Sequence, residues 1–516
     1  MNFIGSILLC ILSAVFYVCS FPNFNLWFLG WIALVPFLFA IDGKNKTSSI
    51  LLAYVFGLLF FACLSYWVNY VAYVSLKTFA LLISYQALYF VIFGILANRI
   101  LINKFPLFLE AILISAAWVA LEFIRGHFLI SFGSWGALAY SQADHRLLIQ
   151  SADLAGYSGI SFLMVMVNVL IKQLIGRRKA GIAFSFVLVL ILFSANIIYG
   201  RISLNKNFQA TEGVKVSVIQ GNIPQSQSYD AKYKGKILRK YEYFTRLAAK
   251  EKPDLIVWPE TAVPGYINAQ PGSRQFISNL AKRMNCYILV GSARSAGLVK
   301  DYFNSAVLFS PDKGMETFYD KQRLVPFAEY DPVKKYSKLS KIIGLRADVH
   351  NAGMQELFYR AGIEPIIFNI QKARFGAYIC VEDFYTAGAF IKNGANFLIN
   401  ITNDGWFGKS SGPTQHAEAS VFRAVEYRMP LVRCSNTGVS EFIDVYGKTY
   451  GRVADSHGQY LMATGCRTDI VNFCPYDKFE LSFYAKYEYW FAYLCLFLLL
   501  PIIIALLIRS NYPRPV

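Results

Sequence analysis

Eight apolar runs constrain this chain more than anything else in its sequence. They fall at residues 3–19, 26–41, 50–67, 79–101, 107–124, 155–171, 182–199 and 487–507. A bilayer span needs about 20 mostly apolar residues, with about 17 as the short limit. Most of the runs meet it; the second and sixth are short and must borrow from their flanks. Only 16% of the 516 residues are charged, against about 25% in soluble domains. The expected organisation is a seven-span membrane domain over residues 1–200, a water-soluble domain over 214–484 and a last span over 487–508. The first run lacks a basic flank before it, so it reads as a retained span rather than a cleaved leader.

Basic residues set the expected topology. Lys44 and Lys46, Arg99 and Lys104, the Lys172 to Lys179 loop, and Arg509 with Arg514 occupy alternate connections. By the positive-inside rule these lie on the cytoplasmic side, and the soluble part faces outward. The formal net charge of +18 is then a matter of topology and anionic headgroups. Nucleic acid is not expected, since no basic block interleaved with aromatics occurs. The segment 125–150 is too apolar for a solvated loop and too rich in Gly and Ser for a clean span. It reads either as an interfacial arm at headgroup level, carrying Phe128, Phe132 and Trp135, or as packing between helices.

From residue 214 the pattern changes to strands alternating with helices. Strand-like runs occur at 214–219, 255–258, 287–290, 305–309, 317–319, 374–379, 397–401, 431–434 and 441–445. Helical spacing occurs at 237–249, 276–284, 385–391 and 415–428. This is the signature of an α/β fold with buried strands. The stretch 324–362 has little regular pattern and reads either as a functional lid, which near a membrane could admit lipid, or as a disordered segment. Nine cysteines include no CxxC pair, so neither a zinc site nor a redox motif is indicated. Cys466 and Cys474 could pair in an oxidising compartment.

Three ionisable residues end strand-like runs: Glu260 after Leu-Ile-Val-Trp-Pro, Lys321 after Thr-Phe-Tyr-Asp, and Cys380 after Ala-Tyr-Ile. In α/β sheets, groups at strand carboxyl ends converge on one crevice. A carboxylate there can take a thiol proton, and an ammonium can lower the thiol pKa and stabilise an oxyanion. Each residue alone is a weak signal. A Glu or Lys after a strand is ordinarily solvated, and a free Cys is ordinarily a core residue. His416 could pair with Cys380, but a structural histidine is the commoner case. His127 and His145 show no metal spacing. No GxSxG elbow occurs, which argues against a serine hydrolase. Arg374 and Arg433 read as solvated surface groups.

Four motifs in order carry a resemblance: Trp258-Pro-Glu260-Thr-Ala, Asp320-Lys321 through Glu329, Tyr378-Ile-Cys380-Val-Glu382, and Asn403-Asp-Gly-Trp406-Phe-Gly408. They resemble the carbon–nitrogen hydrolase (nitrilase) superfamily. With the membrane segments, the whole chain is similar to the apolipoprotein N-acyltransferase family of Gram-negative bacteria. The resemblance implies a multi-pass α-helical membrane domain plus a nitrilase-like αββα sandwich on the periplasmic side of the inner membrane. It implies Glu260 as general base, Lys321 as oxyanion stabiliser and Cys380 as nucleophile. Glu329 would orient Lys321, Glu382 would support the nucleophile, and Trp406 would lie beside the site. Val381 stands where some members carry Tyr; its backbone N–H could still serve an oxyanion. The implied partners are a phospholipid acyl donor, a diacylglyceryl apolipoprotein acceptor and the bilayer, with a monomeric enzyme and no metal or cofactor. Phe128, Phe132 and Trp135 would line the lipid entrance. Two alternatives stay open: a membrane-anchored amidase or nitrilase hydrolysing a soluble substrate, and a transporter using the intramembrane Glu110 or Glu122.

Overall fold

The structure is a computed structural model. It describes residues 2–511 apart from 73, 104, 129, 177–180, 207–209, 229, 298–300 and 333–358, with the side chains of 231 and 505–511 also outside the description. Most of the 324–362 stretch, read as a lid or a disordered segment, therefore lies outside the described residues.

Most of the length of the eight apolar runs is helical. Five helices are long and apolar enough to cross a membrane: Lys46–Leu64, Leu76–Ile102, Leu107–His127, Ala152–Ile175 and Ile182–Asn205. Phe3–Cys19 and the helix at the C-terminal end, Trp490–Asn511, have shorter described apolar stretches. The second run is broken. A 3-10 turn, Trp27–Trp31, precedes the helix Val35–Ile41, which restarts around Pro36. Proline lacks an N–H and fits the first helical turn, where none is needed.

The intramembrane acids are structural ties. Glu122 accepts from Trp118 Nε1 at 2.8 Å and from the Leu138 N–H at 2.7 Å. Glu110 accepts from Gln173 Nε2 at 3.3 Å. These bonds knit helices and loop together, and nothing in them suggests an ion path. The segment after residue 125 is packed more than it is displayed. Ser131, Ser134, Leu138 and Tyr140 are buried, while Phe128 is 50% exposed.

The soluble part is two sheets face to face. The first contains β1 (Glu212–Gln220), β2 (Leu255–Val257), β3 (Val263–Tyr266), β4 (Tyr287–Ser295), β5 (Tyr302–Ser310) and β6 (Gly314–Asp320). The second contains β7 (Ile367–Ile370), β8 (Ala373–Ile379), β9 (Phe397–Thr402), β10 (Leu431–Ser435), β11 (Glu441–Ile443) and β12 (Thr449–Tyr450). β13 (Gly465–Phe473) returns to the first sheet, antiparallel to β1. The orders are β13-β1-β2-β4-β5-β6, with β3 beside β4, and β12-β11-β10-β9-β8-β7. The Cys434 thiol crosses the sandwich to Ile219 O at 3.5 Å and Val257 O at 3.3 Å.

Helices cover both outer faces. Lys234–Ala249 and Pro271–Met284 bury Ile237, Tyr241, Ile277 and Leu280 on the first sheet. Gly412–Tyr427 lies on the second sheet and also meets the membrane half. The helix expected over 385–391 is instead a 3-10 turn, Cys380–Phe384, followed by the short helix Gly388–Lys392. Extended backbone at Tyr385 separates them. Cys466 and Cys474 are both free.

Trp258 ties a cover helix to the end of β2. It is fully buried, stacks on Tyr241 at 4.8 Å and donates from Nε1 to Thr245 Oγ1 at 3.0 Å. Truncating a buried Trp costs about 3–5 kcal/mol. Trp258→Ala is expected to lower the thermal midpoint of the detergent-solubilised protein by several degrees; an unchanged midpoint would contradict this packing role.

Candidate active site

The site lies at the rim where the two sheets meet. β2 runs into Trp258-Pro-Glu260, and Gly291 in β4 lets that turn approach. A Cβ on Gly291 would sit 2.3 Å from Pro259 O and 2.5 Å from Glu260 Cα. β6 ends at Asp320, followed by Lys321, whose N–H donates to Asn304 O at 2.8 Å. Glu260 and Lys321 thus come from the first sheet. Cys380 comes from the second, following β8 with a positive φ of 55°.

Lys321 is buried between two carboxylates. Its Nζ lies 2.9 Å from Glu329 Oε2 and 3.4 Å from Glu260 Oε1. Asn304 Nδ2 bridges the same pair, donating to Glu260 Oε1 at 2.7 Å and Glu329 Oε1 at 2.8 Å. The other oxygens accept backbone N–H groups, from Asn403 to Glu260 at 2.9 Å and from Val325 to Glu329 at 2.8 Å.

Burial raises the Glu260 carboxyl above the ordinary range, Lys321 pulls it down and the Glu329 charge pushes it up; the net direction is upward. For Lys321, burial works against the charge, but Glu329, Glu260 and Cys380 outweigh it and hold the ammonium protonated. The Cys380 thiol is raised by burial and by Glu260, with Lys321 opposing. Lys321 acts on the thiol with the lowering sign expected of it, while desolvation is the larger effect.

Glu382 joins the lysine segment to the strand that ends before Cys380. Oε1 accepts from Tyr319 OH at 2.8 Å, Gln322 N at 2.8 Å and Arg323 N at 3.0 Å; Oε2 accepts from Ile379 N at 2.7 Å. Val381 is buried at the start of the 3-10 turn. Trp406 is half-buried in the 3-10 turn Asp404–Phe407.

His416 does not face the thiol proton. It is fully buried, with Nδ1 2.8 Å from Asp404 Oδ1 and Nε2 3.2 Å from the Cys380 carbonyl oxygen. Arg433 is not a surface group, contrary to expectation. It is fully buried and bonds Asp383 Oδ2, Ser420 Oγ at 3.0 Å, Asn400 Oδ1 at 3.2 Å and Asp404 Oδ2 at 3.3 Å. Two buried aspartates draw it in, since a buried charge is tolerable when paired. Arg374 is exposed, as expected.

The aromatic segment reaches the nucleophile turn. Trp135 packs on Phe384 at 4.8 Å, His416 at 5.2 Å and Trp67 at 4.5 Å. Gly133, with φ of 73°, approaches so closely that a Cβ would sit 2.3 Å from Phe384 Cβ. Phe132 is half-buried, and Phe128 packs edge-on to Phe123 at 5.9 Å. No cluster of ligands for a metal occurs among the described residues.

Asn304, Asn400, Asp383 and Asp404 are the site groups that sequence reasoning missed. A signal existed for two of them. Asn304 and Asn400 are polar residues inside apolar strands, and a buried amide must find partners.

The Glu382 staple has a testable consequence. Its amide analogue keeps one acceptor oxygen but turns an NH2 toward backbone donors, leaving them unpaired. Glu382→Gln is expected to slow modification of Cys380 by about 10-fold or more, on the scale of a misplaced reactive group; a wild-type rate would refute the staple.

Comparison with known proteins gives the family. Residues 13–170 match the model of the apolipoprotein N-acyltransferase N-terminal domain, and residues 215–470 match that of carbon–nitrogen hydrolases. An apolipoprotein N-acyltransferase of Geobacter metallireducens is 35% identical over 472 residues, 86% of each chain. One of Chlorobaculum tepidum is 29% identical over 480 residues, covering 85% of this chain and 87% of the relative. Among solved structures, Saccharomyces cerevisiae Nit3, a member of branch 10 of the nitrilase superfamily, has a TM-score of 0.39 at 17% identity, covering 54% of this chain and 96% of its own. With helices long enough to cross a membrane, a carbon–nitrogen hydrolase domain and relatives matched over most of its length, this chain belongs to the apolipoprotein N-acyltransferase family.

Proposed function

We propose that this chain moves a fatty acyl group from a membrane phospholipid, through a thioester on Cys380, to the α-amino group of a diacylglyceryl-cysteine on an apolipoprotein. The observation that carries the reading is the Lys321 ammonium buried between Glu260 and Glu329, with its charge acting on Cys380. The nearby aromatic seam with the membrane helices favours a lipid substrate over a soluble one.

Glu260 takes the thiol proton as sulfur adds to the ester carbonyl. The S–C bond forms and the carbonyl π pair moves to oxygen, where Lys321 and the Val381 N–H offset the charge. Collapse of this intermediate breaks the C–O bond. The lysophospholipid leaves with the proton that Glu260 returns. The lipoprotein amine then adds to the thioester carbonyl and gives a proton to Glu260; collapse breaks the C–S bond, and the sulfur leaves as the thiol with the proton that Glu260 returns. Glu329 keeps Lys321 in place throughout, and Glu382 holds the two strand ends together.

In this reading residues 1–200 and 487–508 anchor the chain in the bacterial inner membrane. Residues 214–484 face the periplasm, as the alternation of basic loops supports. Phe128, Phe132 and Trp135 flank the path by which an acyl chain enters from the bilayer, and Trp406 borders the pocket.

Incubation with phospholipid is expected to add one fatty-acyl mass to Cys380, and an amino-terminal diacylglyceryl-cysteine peptide is expected to remove it as an amide. Cys380→Ala, Glu260→Ala and Lys321→Ala are each expected to abolish transfer without unfolding the protein. Transfer by Cys380→Ala would end the covalent route, and release of the acyl group only to water would favour the amidase alternative.

The raised Glu260 carboxyl predicts the acid side of the pH profile. The base works only when ionised, so thioester formation rises as pH increases through a midpoint above the ordinary carboxylate range. Glu260→Gln should remove this limb and about 10²–10⁴ of the rate, as measured by rapid-quench mass spectrometry.

A further inference from the structure

Cys380 occupies left-handed backbone, with φ of 55°. That region is unfavourable for a non-glycine residue and persists where the surroundings over-determine it. Here two side chains grip one oxygen. The Cys380 carbonyl accepts from Asn400 Nδ2 at 3.2 Å and faces His416 Nε2 at 3.2 Å.

The grip is itself held. His416 stacks on Trp135 at 5.2 Å and on Phe384 at 5.4 Å. A carbonyl oxygen can only accept, so Nε2 is the donor. On the other side, Asp404 Oδ1 lies 2.8 Å from Nδ1. Burial would raise the Asp404 carboxyl, but His416, Arg433 and hydrogen bonds from His416 and Ser435 outweigh it and hold the group ionised below its ordinary range. The Asp404 carboxylate thus holds the Nδ1 side of the ring and the Cys380 carbonyl the Nε2 side, and the ring cannot rotate without losing both contacts. Asp383 and Arg433 complete a buried set of charges beneath the nucleophile.

A trans peptide points its C=O and N–H in opposite directions. Fixing the Cys380 carbonyl onto Asn400 and His416 turns the Val381 N–H away from this polar cluster. We propose that His416, backed by Asp404, is a positioning residue that clamps the Cys380–Val381 peptide so that the Val381 N–H meets the oxyanion formed on sulfur addition. When the S–C bond forms, the thiol proton passes to Glu260, the carbonyl π pair moves to oxygen, and no proton moves at His416. The inference rests on Cys380 being the nucleophile and is independent of the natural acyl donor.

Two reagents separate this role from a merely structural one. A p-nitrophenyl ester acylates the thiol through an oxyanion. Iodoacetamide alkylates the same thiol by displacing iodide from a tetrahedral carbon, with no oxyanion. For His416→Ala in the full-length, detergent-solubilised protein, the p-nitrophenolate burst is expected to slow by about 10²-fold, the scale of one lost oxyanion donor. Alkylation of Cys380, read by peptide mass, should stay within about 3-fold. His416→Gln, whose amide can donate to the same carbonyl, should recover about 10-fold or more of the burst rate. Asn400→Ala removes the other donor and should show the same split, which tests the clamp even where His416→Ala does not fold. Equal loss in both reactions, or loss in neither, would overturn the proposal. A wild-type protein that neither reagent modifies at Cys380 would instead remove the nucleophile assignment.

Discussion

A buried ammonium held by two carboxylates is the interaction on which the site depends. Lys321 alone would be expensive to bury, and Glu260 and Glu329 alone would repel each other in a dry pocket. Together with Asn304 they form a closed set in which each charge offsets another. The set joins three pieces of backbone: the turn after β2, the end of β6, and the segment reaching Glu329. Glu382 then attaches the nucleophile turn to the same frame. The chemical groups are therefore also the fasteners of the rim, and the pocket needs no separate scaffold.

The electrostatics describe a particular kind of nucleophile. Many reactive cysteines are kept as thiolates by a neighbouring cation. Cys380 is instead held as a thiol by burial and by the Glu260 charge. In the proposed reaction its activation would depend on transferring a proton to that carboxylate during attack, rather than on a standing anion. That would suit the proposed two-step transfer through sulfur, since the carboxyl that accepts a proton in one half could return it to the leaving group.

Much of this was legible in the sequence because buried strands and apolar spans are long continuous runs. Glu260, Lys321 and Cys380 stood out by ending such runs. Their meeting was less legible, since it needs the two sheets to face each other, which brings together segments far apart in the chain. β13 was missed because its alternating polar face reads as loop. β12 has only two residues and gave no pattern. Arg433 was misread because an isolated Arg is normally solvated; its partners Asp383 and Asp404 come from other elements. The segment around Trp135 read, from its aromatics, either as an interfacial arm or as packing between helices. Gly133 is what lets it close onto Phe384, a contact that composition alone cannot convey.

Gln415 gives the two halves of the molecule a common footing. From the first turns of helix Gly412–Tyr427 its carbonyl accepts from Trp67 Nε1 and Trp135 Nε1, while its amide reaches Pro22 O and Leu64 O. Further along the same helix, Glu426 accepts the Tyr157 N–H, and Arg428 at its end pairs with Asp153. A single apolar core continues from Cys10 and Phe37 to Phe397 and Val432. The change of composition near residue 210 thus marks no mechanical joint. The position of Cys380 relative to the long apolar helices is set by interlocked side chains, so lengthening the connecting chain there would leave that position unaltered.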